Sequence, residues 1–196
     1  MTFPLLAVAI VVALTLAWSL ESSRPSGAVT WPSKLISTSD CKPYLTSNSS
    51  ARVTTSSSYI EVAVLGAREA MYTPAQVAKK HPSSGEVMVS GHMNSGSGSM
   101  AMGRGASMAH LEVHICSKNT GAAVTDAMPT ITLKSTHAGA MTIVVPVAMM
   151  RGFDGAVGDT HYGNNVSVTP GGRYKVVVTT KGQSARFTLT ARRMSN

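Results

Sequence analysis

Polar and apolar positions divide the chain into three regimes. From Phe3 to Leu20 it reads FPLLAVAIVVALTLAWSL, without one charged side chain. At ~1.5 Å of rise per residue, such a helix spans most of a ~30 Å hydrocarbon layer. Residues 1–20 are therefore expected to be a signal peptide or a membrane anchor. Ala17-Trp18-Ser19 offers a weak small-x-small cleavage site. The lack of Lys or Arg before the run is atypical of a signal peptide and leaves orientation by charge uninformative. Either reading puts the rest of the chain outside the cytosol, in a periplasm, at a cell surface or in a secretory lumen. Residues 21–58 are rich in Ser, Thr and Pro, a composition that buries little surface and reads as a tether. Trp31, Leu35, Ile36 and Tyr44 are the apolar exceptions that can dock part of it.

Beyond Ser58 the period becomes two. Strands are expected at Tyr59–Leu65, Glu86–Val89, Ala109–Cys116, Thr130–Lys134, Met141–Met150, Asn165–Thr169, Tyr174–Thr180 and Ala185–Thr190. They are short, rich in Val, Ile and Thr, and broken by turns such as Pro170-Gly171-Gly172. Seven or eight strands at this spacing predict an all-β domain over residues 59–196, an immunoglobulin-like antiparallel β-sandwich. One short helix interrupts them, with Thr73 as N-cap, Pro74 in the first turn, and Lys79 and Lys80 closing it.

A chain of 196 residues has room for one such domain plus a targeting segment. Its two cysteines, Cys41 and Cys116, are a candidate disulfide and agree with export. The formal charge of +8 comes from scattered basic residues; only Arg186, Arg192 and Arg193 approach a cluster. Without a basic run interleaved with aromatics, nucleic-acid binding is not expected. Asn48-Ser49-Ser50 and Asn165-Val166-Ser167 are glycosylation sequons.

Alternation along Ala109–Cys116 sends Leu111, Val113 and Ile115 to one face and His110, Glu112, His114 and Cys116 to the other. Same-face neighbours stand ~6.7 Å apart, close enough for their side chains to converge on one ion. His-x-Glu-x-His on a strand is therefore a candidate metal site; its bland counterpart is a wet outer face where such residues are merely solvated. A Gly-rich loop after Met149 and Met150 brings a third imidazole, His161. Imidazole together with thioether favours copper, while iron or another divalent metal also fits the His and Glu donors. A third segment, residues 91–108, is Gly- and Ser-rich and carries His92, Met93, Met100, Met102 and Met108. These are either secondary soft-metal ligands for Cu(I) or gap-filling side chains on a folded loop. No phosphate-cradling motif, nucleophile elbow or zinc-spaced Cys pair is present, so turnover as an enzyme is not expected.

Two elements resemble the bacterial periplasmic iron-uptake accessory family, small copper-binding immunoglobulin-like proteins found beside ferrous-iron permeases. His110-Leu111-Glu112 is similar to that family's His-Leu-Glu strand. Asp159-Thr160-His161-Tyr162-Gly163-Asn164-Asn165-Val166 is similar to its His-Tyr-Gly loop, and Gly172-Arg173-Tyr174-Lys175-Val176 to the strand that follows. The resemblance covers about Tyr59 to Thr190. It implies His110, Glu112 and His161 as copper ligands, completed by Met149 or Met150, in a homodimer that assists iron uptake beside a membrane permease. The family's C-terminal His has no counterpart, and His114, His92 or a nearby methionine is left to substitute. Two other functions fit the residues: a Met-rich copper chaperone or store delivering Cu(I) to a membrane oxidase, and a structural immunoglobulin-like subunit of a membrane complex.

Overall fold

The structure, a computed structural model, describes Cys41 and residues 52–93, 106–153 and 156–192. The apolar run at 1–20, most of the tether, Met100, Met102 and Arg193 lie outside the described residues. Among the described residues, eleven strands form two sheets. In chain order they are β1 (Arg52–Thr55), β2 (Tyr59–Ala67), β3 (Met71–Tyr72), helix α1 (Pro74–Lys80), β4 (Glu86–Gly91), β5 (Ser107–Ser117), β6 (Thr130–Ser135), β7 (Thr142–Val145), β8 (Ala148–Gly152), β9 (His161–Val168), β10 (Arg173–Thr180) and β11 (Gln183–Thr190).

The larger sheet has the order β1-β2-β5-β9-β8-β4-β3 and the smaller β11-β10-β6-β7. All pairings are antiparallel except β3 with β4. Between the sheets lies one apolar core. Leu65, Leu111, Val113, Ile115, Tyr162 and Val166 come from the larger sheet, and Ile131, Leu133, Val176, Val178, Phe187 and Leu189 from the smaller. Each set occupies alternate positions of its strand, as burial of one face demands.

Three boundaries differ from the sequence pattern. The Ser-rich stretch ends in a strand, because β1 hydrogen-bonds along β2 from Arg52↔Ala63 to Thr55↔Ile60. The apolar stretch 141–150 is two strands, not one. Pro146, which cannot donate to a ladder, separates β7 in the small sheet from β8 in the large one. The third difference bears on function: His161 lies on a strand, not in a loop. β9 starts at His161 and is paired on both sides, with β5 and with β8. Gly163, Asn164 and Asn165 have weak strand propensity, but two neighbouring ladders override it.

Helix α1 has the cap its sequence prescribes. Thr73 Oγ1 accepts from Gln76 N at 3.2 Å and Gln76 Oε1 accepts from Thr73 N at 2.8 Å, a reciprocal capping box. On the outer face of the larger sheet, Ile60, Val62, Val64 and Cys116 form a second buried cluster with Cys41. Cys41 is bonded to Cys116, closing a separation of 75 residues.

Candidate metal centre

Register places the chemistry on the outer face of the larger sheet. β5 and β9 pair His114↔His161, Glu112↔Gly163 and His110↔Asn165. β8 sets Met150 against His161, and β4 sets Met88 against Met150. Directly paired residues point the same way, and so do residues two apart on one strand. His110, Glu112, His114, Asn165, His161, Met150, Met88 and Glu86 therefore share one face.

This face is not wet. His110 is 0 % exposed, His114 3 %, His161 2 % and Glu86 9 %. Buried imidazoles and carboxylates need partners, because unpaired burial is unfavourable. Glu86 Oε2 stands 3.2 Å from His110 Nε2 and 3.1 Å from His161 Nε2. None of these three atoms makes a hydrogen bond. Three ligand-type atoms thus converge in a buried space while unaligned with one another. Donors bound at about 2.0–2.1 Å around a tetrahedral ion stand roughly 3.3 Å apart. Both distances from Glu86 suit a shared ion, and the three donor atoms lie within 4.8 Å of one another.

The far sides of both rings support this arrangement. His161 Nδ1 lies 2.8 Å from the Asp159 carbonyl oxygen. His110 Nδ1 lies 3.2 Å from Asn165 Oδ1. The amide is oriented by the Glu69 backbone, whose N–H donates to Asn165 Oδ1 and whose carbonyl accepts from Asn165 Nδ2. Each Nδ1 therefore donates its proton to an oxygen, which in the neutral ring leaves the Nε2 lone pair for a metal. This is how protein acceptors fix the tautomer of a ligating histidine.

Carboxylates and imidazoles shift one another inside the cluster. Burial works to raise the Glu86 pKa, but the two imidazoles outweigh it and hold the carboxyl well below the ordinary range. Burial disfavours the charged form of His161; the Glu86 carboxylate, aided by Glu112 and the Asp159 carbonyl, overrides it and raises the ring to about 9. His114 goes the other way, pushed down by burial more than Glu112 holds it up. Glu112 is lowered: burial raises it, and His114 and the other imidazoles more than compensate.

The structure sorts the residues singled out in the sequence. His110 and His161 meet; His114 stands beside them, its ring centroid 5.2 Å from that of His161. Glu112 does not join the His110–His161 pair but faces His114, with Oε2 3.6 Å from its Nε2. Of the two methionines, Met150 lies on the histidine face, whereas Met149 belongs to the core between the sheets. His92 is exposed and Met93 half-buried in the segment after β4, and Met108 sits on β5 opposite Ser167. Asn165 is no glycosylation acceptor, being buried and bonded to Glu69 and His110.

Glu86 was not among the sequence candidates. Its signal was present: alternation in Glu86-Val87-Met88-Val89 pairs a carboxylate with a thioether on one face. A lone Glu opening a strand gave no reason to place its carboxylate beside a histidine 24 positions on, with two strands between them in the sheet. Gly85 delivers it. Its φ is +112, and a Cβ there would come within 2.3 Å of the Ala70 carbonyl oxygen, so only glycine permits this turn into β4. No protein-family model matches the chain, and no curated protein or solved structure matches it either. The centre's chemistry is accordingly argued from its own residues.

Proposed function

We propose that the chain is an extracytoplasmic metal-binding protein whose Glu86–His110–His161 centre holds a copper ion and assists iron uptake, without turnover of its own. The observation that carries the metal reading is the convergence of Glu86 Oε2, His110 Nε2 and His161 Nε2, all buried and none hydrogen-bonded. Two imidazoles and a carboxylate accept several first-row ions. Met150 and Met88, placed on the same face by register, tilt the choice toward copper, because thioether sulfur suits Cu(I). Glu86 takes the carboxylate role that the family resemblance would give Glu112.

The iron-uptake role, the homodimer, the permease partner and the immunoglobulin-like assignment of the sandwich rest on the resemblance of His110-Leu111-Glu112 and of the His161 segment to the iron-uptake accessory family. The Cys41–Cys116 bond agrees with an oxidising compartment. A chaperone built on the Met-rich loop gains nothing specific from the described residues. A purely structural subunit would use Glu86 only as an ion-pair partner of His110 and His161, and gives no reason for three buried donor atoms to converge without hydrogen-bonding one another.

Copper titration of the purified chain tests the binding, with His110→Ala and His161→Ala as controls. Each substitution should weaken copper binding by tenfold or more. Equal, weak binding in all three forms would sink the metal site. Growth under iron limitation, with and without the gene, tests the physiology: unimpaired growth without it removes the iron role and leaves the copper site standing.

A further inference from the structure

His161 has two ring nitrogens, and they face different neighbours. Nε2 faces Glu86 Oε2 at 3.1 Å; Nδ1 faces the Asp159 carbonyl oxygen at 2.8 Å. Near the same ring stands another buried imidazole. His114 is 3 % exposed, its Nδ1 has no hydrogen-bond partner, and its Nε2 is 3.6 Å from Glu112 Oε2 without forming a hydrogen bond. One donor atom each from His114, Asp159 and His161 lie within 4.8 Å of one another. The Asp159 carboxylate is held in place, since its Oδ2 accepts from Gly152 N at 2.8 Å. A second set of three donors thus adjoins the first and overlaps it at one residue only.

We propose that His114 and Asp159, with His161 as shared ligand, form a second metal position, so that the chain in its oxidised, Cu(II)-loaded state holds two first-row ions bridged by one imidazolate. The first ion is the copper of the reading above, on which this inference rests. The donors of the second position are nitrogen and oxygen alone, which suits Cu(II), Zn(II) or Fe(II) and not Cu(I). His114 Nδ1, buried and without a hydrogen-bond partner, is placed to offer a donor atom to an ion. At His161 the balance differs: the Nδ1–H bond breaks, its proton leaves to solvent, and an Nδ1–metal bond replaces it. The Asp159 carbonyl then gives up its donor while the Asp159 carboxylate gains the ion.

Bridged ions are magnetically coupled, which separates this arrangement from two independent sites. The full-length chain should be titrated with Cu(II), with bound copper counted by equilibrium dialysis and unpaired spins by electron paramagnetic resonance. Wild type is expected to bind two coppers with fewer visible spins than bound ions. His114→Ala should bind one copper, fully visible. Asp159→Asn keeps an acceptor for Gly152 N and should show the same loss, so it decides the matter if His114→Ala fails to fold. Two coppers retained and fully visible in all forms would overturn the bridge. A single copper in wild type, lost in Glu86→Gln but kept in His114→Ala, would overturn the second position and leave the first intact. No copper in any form would overturn both.

Discussion

At the scale of single residues, the contact between His161 and Glu86 makes the ion-free protein sensitive to pH. His161 is raised from its ordinary 6.5 to about 9. A raised cationic group contributes stability that is complete below its unfolded pKa and lost as pH climbs to the folded one. The Glu86 share is present above its ordinary 4.5 and lost as pH falls below it. His114, being lowered, works against folding only below its ordinary 6.5. Between about 6.5 and 9 the fading of the His161–Glu86 pair is therefore the change that counts. The melting temperature of the ion-free protein is expected to fall across that window and to fall less in His161→Gln; identical pH slopes would refute the assignment. Metal affinity runs opposite, because the ion competes with the His161 proton. It should rise with pH and level off near 9.

The floor under the site depends on Tyr162, which is fully buried. Its hydroxyl donates to the Val124 carbonyl at 2.7 Å and accepts from Ala127 N at 3.1 Å. Tyr162→Phe leaves both backbone groups short of a partner and should destabilise by about 1–3 kcal/mol in chemical denaturation. How much of the site the sequence disclosed follows from the same local logic. His110, Glu112 and His114 share a face by period two alone, so their adjacency was legible. Glu86 and Asn165 were not, because their roles depend on which strands pair, and pairing partners are not encoded in local alternation.

At the scale of elements, β9 decides the geometry. Its glycine is required there: a Cβ on Gly163 would lie 1.7 Å from the Leu111 carbonyl oxygen. Gly163→Ala must therefore push β9 away from β5 and separate His161 from His110. Loss of tight copper binding is expected even if the variant stays folded, as judged by circular dichroism; unchanged affinity would show that the β5–β9 spacing does not set the site. Asn164 stabilises the nearby crossover, its Nδ2 donating to the carbonyls of His92 and Pro146, each at 2.8 Å. Helix α1 packs against β3 and β4 but gives no ligand to the centre, and Thr73→Ala should remove about 1 kcal/mol from stability without altering metal affinity. Most strand positions and the whole helix were readable from period, cap and turn residues. The strand at His161 was misread as a loop because Gly and Asn are loop formers locally, whereas here two flanking ladders hold them extended.

At the scale of the whole molecule, a sandwich core carries the site on its outer face. Burial of that face on β2 and β5 is what the sequence could not give: period two predicts a polar surface, and only the tertiary fold shows His110 and His114 enclosed. Cys41 packs on that face with Ile60, Val62 and Val64, bonded to Cys116 two residues beyond His114. In the chain-entropy view, a crosslink over 75 residues is worth about 4.5 kcal/mol. Reduction should lower the melting temperature markedly.

The central claim is that Glu86, His110 and His161 hold one metal ion between them. It is met most directly by a crystal structure of the copper-loaded chain, with an anomalous difference map at the copper edge. A peak about 2.0–2.2 Å from His110 Nε2, His161 Nε2 and Glu86 Oε2 is the expected result. Copper bound elsewhere, with those three atoms still facing one another uncoordinated, would contradict the account.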